Sequence, residues 1–357
     1  MNHFKKIAEA LPGAGLDGVL LTGEHNRFYA SGFASMGSDG VALVTTKGNF
    51  YFTDSRYIES ATNNIHDFEV IMTDRNRNYA LLINQAIADF DIHTLGYEEE
   101  YMTAGECSRF QQSLNAKMVP YNEKIRAFRD VKEEWELERL RKAQQIADAA
   151  FLEVLPRLKV GMTELEAQAE LIYCMYKNGA QGLSFDPIVV SGPNTSLPHG
   201  VAGSRVIQEG DFLTMDFGVL YQGYCSDTTR TVAFGYATEE MRKVYNVVLK
   251  AQCEALAATR AGVTGKFVDG VARRVITDAG YGDCFGHSYG HGVGLEIHES
   301  PNMNMRNESP LPAGAVCSAE PGIYLPGKFG VRIEDVAVLT ADGCENLTKL
   351  PKELLIL

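Results

Sequence analysis

One pattern of helix signals occurs twice in the second part of the chain. Gly161-Met162-Thr163 precedes a predicted helix that ends at Gly179, and Gly262-Val263-Thr264 precedes another that ends at Gly280. In both copies the last glycine lies 18 positions after the first. Helix signals that repeat at a matching interval predict a pseudo-twofold domain, in which each half has its own helices and strands.

The ends of these segments support the helix prediction. Thr163 and Glu166 have the spacing of a capping box, and Gly179 suits the position just after a helix C-terminus. A longer helix is predicted before each copy. Apolar residues recur at helical spacing over residues 137–154, and the second long helix is predicted over about residues 238–259.

Strands that carry two acidic residues follow each helix pair. In the first copy, Asp216 and Asp227 lie on either side of a predicted hairpin turn. A two-residue loop at Tyr221-Gln222 would pair Leu220 with Gly223, which places Asp216 directly opposite Asp227. Opposite residues of an antiparallel pair share one face, with β-carbons about 5 Å apart, so these two carboxylates would repel each other.

The second copy repeats this arrangement with longer acids. Glu320 and Glu334 lie on either side of Pro326-Gly327-Lys328, which is typical of a turn. If Leu325 pairs with Phe329, Glu320 is directly opposite Glu334. The sequence therefore predicts two hairpins that each present a facing pair of carboxylates.

Facing carboxylates that are buried need a compensating positive charge. For one pair alone, a solvated edge position or an ion pair with Arg230 or Arg332 is a sufficient explanation. Two pairs related by the repeat favour bound metal, since two divalent ions neutralise four carboxylates. An oxygen-rich ligand set favours Mn²⁺ or Co²⁺, with Zn²⁺ or Fe²⁺ as alternatives. A pair of such ions lowers the pKa of a bound water and so provides a nucleophile for carbonyl hydrolysis.

Three histidines of the second part are candidates for the same site. His291 lies in Tyr289-Gly290-His291-Gly292-Val293-Gly294, where small neighbours allow the backbone to bring an imidazole close to a metal cluster. His199 precedes the first acidic hairpin, and His298 follows His291 by seven residues. Either could donate a hydrogen bond to a developing oxyanion, although a lone histidine is more often structural.

The first part of the chain alternates strand and helix signals and contains no chemical cluster. Strands are predicted at residues 17–22, 68–72 and 94–97, a hairpin at 40–54 and a helix at 78–90. A charged stretch then leads into the long helix. We therefore predict an α/β domain over residues 1–127 and the repeat domain over residues 128–357.

Composition excludes several classes of function. The formal net charge of −13 disfavours nucleic-acid binding, which requires a basic surface. The N-terminal residues lack the apolar core of a signal peptide, and no apolar run is long enough to span a membrane. Seven scattered cysteines with no CxxC spacing are typical of reduced thiols, so we expect a cytoplasmic protein.

The motifs of the repeat domain together resemble those of the M24 metallopeptidases, the family of methionine aminopeptidase, aminopeptidase P and prolidase. The matching stretches are Leu197-Pro198-His199-Gly200, Met215-Asp216-Phe217-Gly218, Ser226-Asp227-Thr228-Thr229-Arg230, Gly290-His291-Gly292-Val293-Gly294, Ile297-His298-Glu299, Glu320-Pro321-Gly322-Ile323-Tyr324 and Arg332-Ile333-Glu334-Asp335. The first domain, with Tyr51-Phe52-Thr53-Asp54-Ser55-Arg56-Tyr57, is similar to the N-terminal domain of the creatinase, prolidase and aminopeptidase P branch. The resemblance implies an α+β fold, with a small α/β domain before a pita-bread catalytic domain.

The resemblance also implies the roles of the site residues. The ligands of two divalent metal ions, Mn²⁺ first and Co²⁺ or Zn²⁺ as alternatives, would be Asp216, Asp227, His291, Glu320 and Glu334. His199 and His298 would stabilise the tetrahedral intermediate, and Glu320 would also handle the proton of the attacking water. Creatinase shares the fold but lacks the metal ligands, and all five are present here. A homodimer is a further expectation from the family.

The expected substrate is a peptide with proline at its second position. His287 matches a histidine of the proline pocket in Xaa-Pro enzymes, and Tyr324 and Arg332 are further expected substrate contacts. For Arg332, a structural salt bridge beside Glu334 is an equally good explanation. Prolidases tend to have an arginine just after the His-Glu-x-Pro stretch, where this chain has Asn302, with Arg306 the nearest arginine.

This difference favours an Xaa-Pro aminopeptidase that accepts longer peptides. The alternative is an Xaa-Pro dipeptidase in which Arg306 reaches back to the substrate carboxylate. A non-enzymatic binding protein on the same fold is a remote third possibility, and the complete ligand set argues against it.

Overall fold

The computed structural model describes residues 2–37 and 39–357, and the chain divides into two units, Met1–Phe128 and Arg129–Leu357. The elements of the first unit, of which the last helix ends one residue into the second, are α1 (Phe4–Ala10), β1 (Gly18–Leu21), α2 (Glu24–Ser31), β2 (Gly40–Thr45), β3 (Asn49–Thr53), α3 (Ile58–Asn64), β4 (Glu69–Met72), α4 (Tyr79–Phe90), β5 (Thr94–Tyr97), α5 (Ala104–Ser113), β6 (Lys117–Pro120) and α6 (Asn122–Arg129). None of the helices in the described residues is both long and apolar enough to cross a membrane.

The first unit is an α/β structure around one six-stranded sheet with strand order β4-β3-β2-β1-β5-β6. β2 is antiparallel to both β1 and β3, whereas β4 and β5 run parallel to β3 and β1. Buried apolar side chains such as Leu20, Phe52 and Leu95 form a core with Ile83 of α4. The strands, the hairpin and the helix predicted for this unit are confirmed.

The second unit alternates helix pairs with antiparallel strands. Its elements are α7 (Glu134–Val154), α8 (Glu164–Lys177), β7 (Gly182–Leu183), β8 (Ile188–Ser191), β9 (Phe212–Phe217), β10 (Val219–Tyr221), β11 (Tyr224–Cys225), β12 (Thr228–Ala233), α9 (Glu239–Ala258), α10 (Gly265–Asp278), β13 (Gly290–Gly292), β14 (Glu299–Met303), β15 (Val316–Ala319), β16 (Gly322–Leu325), β17 (Phe329–Arg332), β18 (Asp335–Leu339) and β19 (Cys344–Asn346).

The two helix pairs begin and end where the repeat predicts. Thr163 caps α8 and forms the capping box with Glu166, while Thr264 caps α10 at the corresponding position. Gly179 and Gly280 follow these helices with φ of 104° and 88°, a conformation that glycine adopts without strain.

Each half of the unit has its own apolar core. α7 and α8 pack on β8, β9 and β12 around residues such as Phe151, Leu171 and Met215. α9 and α10 pack on the later strands around Val248, Val268 and others. The strands form sheets with orders β12-β9-β8 and β14-β13-β15-β18-β19, beside the small sheets β11-β10-β7 and β16-β17. The pseudo-twofold α+β fold is therefore present.

The predicted register of the first acidic hairpin is wrong by two residues. Tyr221 pairs with Tyr224 around a turn at Gln222 and Gly223, and Asp216 is opposite Thr229 instead of Asp227. The reason is the turn: Gln222 and Gly223 have φ of 48° and 86°, and a two-residue hairpin turn needs positive φ at both central positions. Gly223 therefore belongs to the turn and not to the strand.

A two-residue error leaves the acids on the same face, because side chains in a strand alternate with a period of two. Asp227 lies two residues before Thr229 and is thus diagonal to Asp216. The chain between them is closely packed, since a β-carbon on Gly218 would lie 1.9 Å from the carbonyl oxygen of Ser226. Glycine at this position allows the two strand segments to approach.

The predicted register of the second acidic hairpin is confirmed. Leu325 pairs with Phe329 in β16 and β17, and the same register continues on the other side of the acids between β15 and β18, where Ala319 pairs with Asp335. Glu320 therefore lies opposite Glu334, at the point where the two strand pairs meet.

Candidate metal centre and substrate cavity

A cavity of about 290 Å³ in the second unit contains most of the predicted site. All five predicted metal ligands line it, together with both predicted oxyanion donors and two of the three predicted substrate contacts. Its lining residues are Phe185, Ile188, Pro198, His199, Asp216, Asp227, His287, Ser288, His291, Ile297, His298, Glu320, Arg332 and Glu334.

Four of the predicted ligands form one contiguous group. Ligand atoms of Asp227, His291 and Glu334 lie within 4.8 Å of one another, as the donors of one metal ion do. Nε2 of His291 is 3.6 Å from Oδ2 of Asp227 and 3.2 Å from Oε1 of Glu320. His291 comes from the middle of β13, and the acids come from the ends of strands, so separate strands converge on this point.

The two carboxylate oxygens of the fifth predicted ligand, Asp216, have different surroundings. Its Oδ2 is 2.6 Å from Nη2 of Arg332, so the ion pair considered as the alternative to metal binding does form. Its Oδ1 is buried and accepts no hydrogen bond from the described residues. A buried carboxylate oxygen without a donor is open to a cation. Arg230, the other arginine considered, pairs with Asp335 instead.

Without a cation, the buried acids of this cavity are hard to ionise. Burial raises the pKa of Asp227 and of Glu334 well above the ordinary values, and the neighbouring carboxylates raise both further. Burial also raises the pKa of Asp216, although Arg332 opposes the shift. Like charges in a shared low-dielectric site produce this effect.

The pair formed by His291 and Glu320 behaves in the opposite way. Burial disfavours the charged form of His291, but its hydrogen bond with Glu320 and the negative charges of Glu320 and Asp227 together outweigh burial and raise the pKa of the imidazole to about 9. Burial raises the pKa of Glu320, but the same bond and the positive charges of His291 and Arg332 together lower it to about 2. In the metal-free protein, a protonated His291 therefore supplies part of the positive charge that balances the carboxylates.

These residues fit a pair of divalent cations. Arg332 is the one permanently charged side chain in the described chain that forms an ion pair with any of the four carboxylates. Four of the five donor groups are carboxylates, and Oδ1 of Asp216 has no hydrogen-bond partner among the described residues. His291 offers Nε2 toward the acids. Hard divalent ions prefer such a donor set.

The two predicted oxyanion donors lie at the cavity wall with their rings exposed. His199 belongs to the loop after Ser191, and His298 directly precedes β14. The ring of His298 packs edge-on against His291, with 4.3 Å between centroids. Burial lowers the pKa of His298, so its imidazole is neutral near pH 7 and can donate one N–H.

The three predicted substrate contacts form one hydrogen-bonded chain. The hydroxyl of Tyr324 is 2.9 Å from Nε2 of His287 and 2.8 Å from Nη1 of Arg332. Arg332 then reaches Asp216, so the candidate proline pocket is connected to a candidate metal ligand. Arg332 thus forms the structural salt bridge and also lines the cavity.

Thr229 is a site residue that the sequence analysis did not identify. Its hydroxyl donates to Oε2 of Glu334 at 2.7 Å and accepts from Nε of Arg332 at 3.0 Å. Strand alternation from Asp227 places Thr229 on the acidic face and would have identified it.

Glu164 is a second residue that was missed, and it holds the loop that carries His199. The side chain is fully buried, and Oε1 accepts from the backbone N of Ser191 at 2.7 Å and from Nδ2 of Asn194 at 3.0 Å. Its Oε2 accepts from the backbone N of Gly203 at 3.0 Å. The loop is therefore fixed on both sides of His199, by an acid whose position in the first turn of α8 indicates only helix stabilisation.

Asp269 and Arg273 of α10 hold the loop that carries His287. Asp269 accepts from the backbone N of Tyr289 at 3.0 Å and pairs with Arg273. Arg273 donates to the carbonyl oxygens of Phe285 and His287, each at 2.9 Å. These partners lie 12 to 20 positions beyond Asp269 and Arg273, outside the helix, so the helical pattern does not predict the contacts.

Arg306 lies beside the candidate proline pocket. It lines a neighbouring cavity of about 310 Å³ that also includes His287 and Ser288, two residues that line the metal-site cavity. Arg306 is exposed, and its guanidinium has no hydrogen bond or ion pair with the described residues. Asn302, which occupies the position where prolidases tend to have arginine, is exposed on β14.

Four carboxylates, two of them buried and two partly buried, lie with a histidine and two further histidines at one cavity. They define a metal-dependent hydrolase on a repeated α+β fold. The chain belongs to metallopeptidase family M24, whose model matches residues 138–341, and the model of the creatinase/prolidase N-terminal domain matches residues 4–131. It is a metallo-exopeptidase.

Relatives and solved structures match the chain over nearly its whole length. The Xaa-Pro dipeptidase of Pyrococcus horikoshii is 37% identical, with 98% of each chain covered. A solved Xaa-Pro dipeptidase from Bacillus anthracis is 41% identical with a TM-score of 0.94 and 99% of each chain covered. A solved X-Pro aminopeptidase from Thermotoga maritima is 40% identical with a TM-score of 0.93 and 100% of each chain covered.

Proposed function

We propose that this enzyme is an Xaa-Pro dipeptidase that uses two divalent metal ions. The observation that carries the choice of a dipeptide is Arg306, which lies beside His287 at the edge of the candidate proline pocket and whose guanidinium has no partner among the described residues. A free carboxylate on the proline would be its natural partner. The dipeptidase names among the relatives support this alternative over the aminopeptidase expected from the sequence.

The proposed ligands are Asp216, Asp227, His291, Glu320 and Glu334. When bound, the ions lower the pKa of a water and polarise the scissile carbonyl. Mn²⁺ is the proposed ion because oxygen donors dominate the set, with Co²⁺ or Zn²⁺ as alternatives. A homodimer, which the family implies, stays a prediction.

The protein's own side chains supply the proton transfers and the orientation of the substrate. Glu320, the acid held ionised in the cavity, accepts the proton of the attacking water. His199 and His298 donate hydrogen bonds to the developing oxyanion. His287, fixed by Tyr324, contacts the proline ring, and burial lowers the pKa of its imidazole so that it is neutral at pH 7.

Replacing Arg306 with alanine tests the choice of substrate. A hydrogen bond to a charged group contributes about 1.5–3 kcal/mol, so KM for an Xaa-Pro dipeptide should rise about 10–100-fold. KM for an Xaa-Pro-Xaa tripeptide, whose proline carries no free carboxylate, should stay nearly unchanged. The measurement is steady-state kinetics with both substrates in the presence of Mn²⁺.

Arg274→Ala is the matched control, since Arg274 is an exposed arginine on α10 away from the cavity. An Arg306→Ala enzyme with unchanged dipeptide kinetics would contradict the carboxylate role. A wild-type enzyme that hydrolyses the tripeptide faster than the dipeptide would restore the aminopeptidase alternative.

A further inference from the structure

A buried acid directly follows the candidate oxyanion donor His298. The carboxylate of Glu299 lies between two buried cations, with Oε1 2.6 Å from Nζ of Lys132 and Oε2 paired with Arg129. All three side chains are at most 5% exposed. A buried acid bridged by two cations is costly to disrupt, because removal of one partner leaves an uncompensated charge.

The imidazole of His298 has no polar anchor of its own. None of the described residues forms a hydrogen bond with its ring, which is exposed at the cavity and touches His291 only by ring packing. Its position therefore depends on how the backbone at residues 298 and 299 is held. Glu299 is the first residue of β14 and directly follows His298, so a fixed Glu299 carboxylate fixes the backbone from which the His298 ring projects.

The surrounding chain is adapted to this carboxylate. A β-carbon on Gly294 would lie 2.1 Å from Oε1 of Glu299, so a larger residue there would displace it. Glu299 pairs with Gly292 in the sheet, next to His291. The following residue, Ser300, donates a hydrogen bond from Oγ to Asp130, so the segment that begins at Arg129 contacts β14 at two consecutive residues.

We propose that Glu299, held between Arg129 and Lys132, is a positioning residue that sets the place of His298 over the metal centre. This proposal rests on the oxyanion role given to His298 in the proposed function. The acid acts without contact to substrate, and it stays ionised because the two cations outweigh burial and lower the pKa of Glu299 to about 2. The anchor therefore does not release in the neutral pH range.

A double-mutant cycle with His298 separates positioning from general structural damage. Glu299→Gln keeps the size of the side chain and removes its charge. We expect kcat to fall about 10–100-fold, in the range of losses found when a residue that orients a functional group is removed, with KM and the bound metal unchanged. In a His298→Ala background, the same substitution should lower kcat by less than about twofold, since additivity fails for coupled residues.

Three outcomes overturn the proposal or its basis in distinguishable ways. Equal losses in both backgrounds show that Glu299 acts on the fold and not through His298. An unchanged kcat in Glu299→Gln shows that no anchor is needed. A His298→Ala enzyme with wild-type kcat refutes the proposed role of His298 itself.

Two further variants keep the test decisive if Glu299→Gln does not fold. Lys132→Met removes one of the two cations and should give a smaller loss of kcat that also disappears in the His298→Ala background. Glu299→Asp keeps the charge and should recover part of the activity. Imidazole resonances of the metal-free protein give a readout independent of turnover, because those of His298 should shift while those of His287 stay in place.

Asp335 provides the matched comparison. It is also a buried acid between an arginine and a lysine, with Oδ1 2.8 Å from Arg230 and Oδ2 2.5 Å from Lys352, and it follows the proposed ligand Glu334. Asp335→Asn should therefore lower the metal content, and its effect on kcat should be the same with or without His298. A loss of kcat that depends on His298 in both variants would contradict the specific role of Glu299.

Discussion

Asparagine in place of Asp227 is expected to lower kcat/KM about a thousandfold and to reduce the bound metal below two ions per chain. The carboxylate of Asp227 lies with His291 and Glu334 in the group whose atoms are within 4.8 Å of one another. An amide cannot supply the negative charge that balances a divalent ion. Metal-ion stabilisation of a transition state amounts to several kcal/mol, and each 1.36 kcal/mol corresponds to about tenfold in rate.

The measurement pairs steady-state kinetics with elemental analysis of the same preparation. Asp148→Asn is the control, because Asp148 is also a buried acid whose pKa is raised by burial, but it bonds to Gln144 and to the backbone of Lys349 instead of lining the cavity. It should lose some stability and keep its metal. Full activity in Asp227→Asn, or full activity with only one ion bound, would contradict the proposed centre.

Local patterns predicted the elements and the faces of the strands, but not every register. The register of the second acidic hairpin was predicted correctly because Pro326-Gly327-Lys328 combines proline and glycine, the two strongest turn signals. The predicted register of the first hairpin was wrong by two residues. Gln222 has no strong turn preference, yet it has a positive φ in the turn beside Gly223. The prediction that the two acids share one face stayed correct, because side chains in a strand alternate with a period of two.

The supporting residues were not predictable, because each acts on a segment far along the chain. Lys132 and Glu299 are 167 positions apart, and Glu164 holds residues up to 39 positions away. A glutamate in the first turn of a helix or after a histidine has many ordinary explanations. The pairing of Asp216 with Arg332 was predicted as an alternative to metal binding. In the structure, the second oxygen of the same acid has no hydrogen-bond partner among the described residues.

Removal of the metal is expected to make the stability of the catalytic unit fall as pH rises from 7 to 9. In the metal-free fold, the pKa values of Asp227 and Glu334 are raised well above 3.8 and 4.5, and that of His291 is raised from 6.5 to about 9. The folded state therefore binds more protons than the unfolded chain in this range. Stability then decreases with pH, by about 1.4 kcal/mol per pH unit for each extra proton.

Other titrating groups in the cavity or beside it do not obscure this change of stability with pH. Glu299 has a pKa of about 2 when folded and 4.5 as its ordinary value, so it is ionised in both states above pH 7. The pKa values of His287 and His298 are lowered from 6.5, so they affect stability mainly as pH falls below that value. Burial raises the pKa of the Cys225 and Cys317 thiols to about 12, and these thiols affect the loaded and the chelated protein alike. The difference in stability between the two forms from pH 7 to 9 therefore reports on the metal centre.

Bound metal should remove the slope, because the ions hold the carboxylates deprotonated and replace the proton on His291. The difference in Tm between the metal-loaded and chelated protein should therefore widen by about 5 °C or more between pH 7 and pH 9, at roughly 2–4 °C per kcal/mol for a unit of this size. Calorimetry at pH 7, 8 and 9 with and without chelator measures it. Asp227→Asn, which cannot ionise at this position, should show a smaller increase in this Tm difference. A Tm difference that stays constant or decreases as pH rises would contradict a cluster of buried carboxylates.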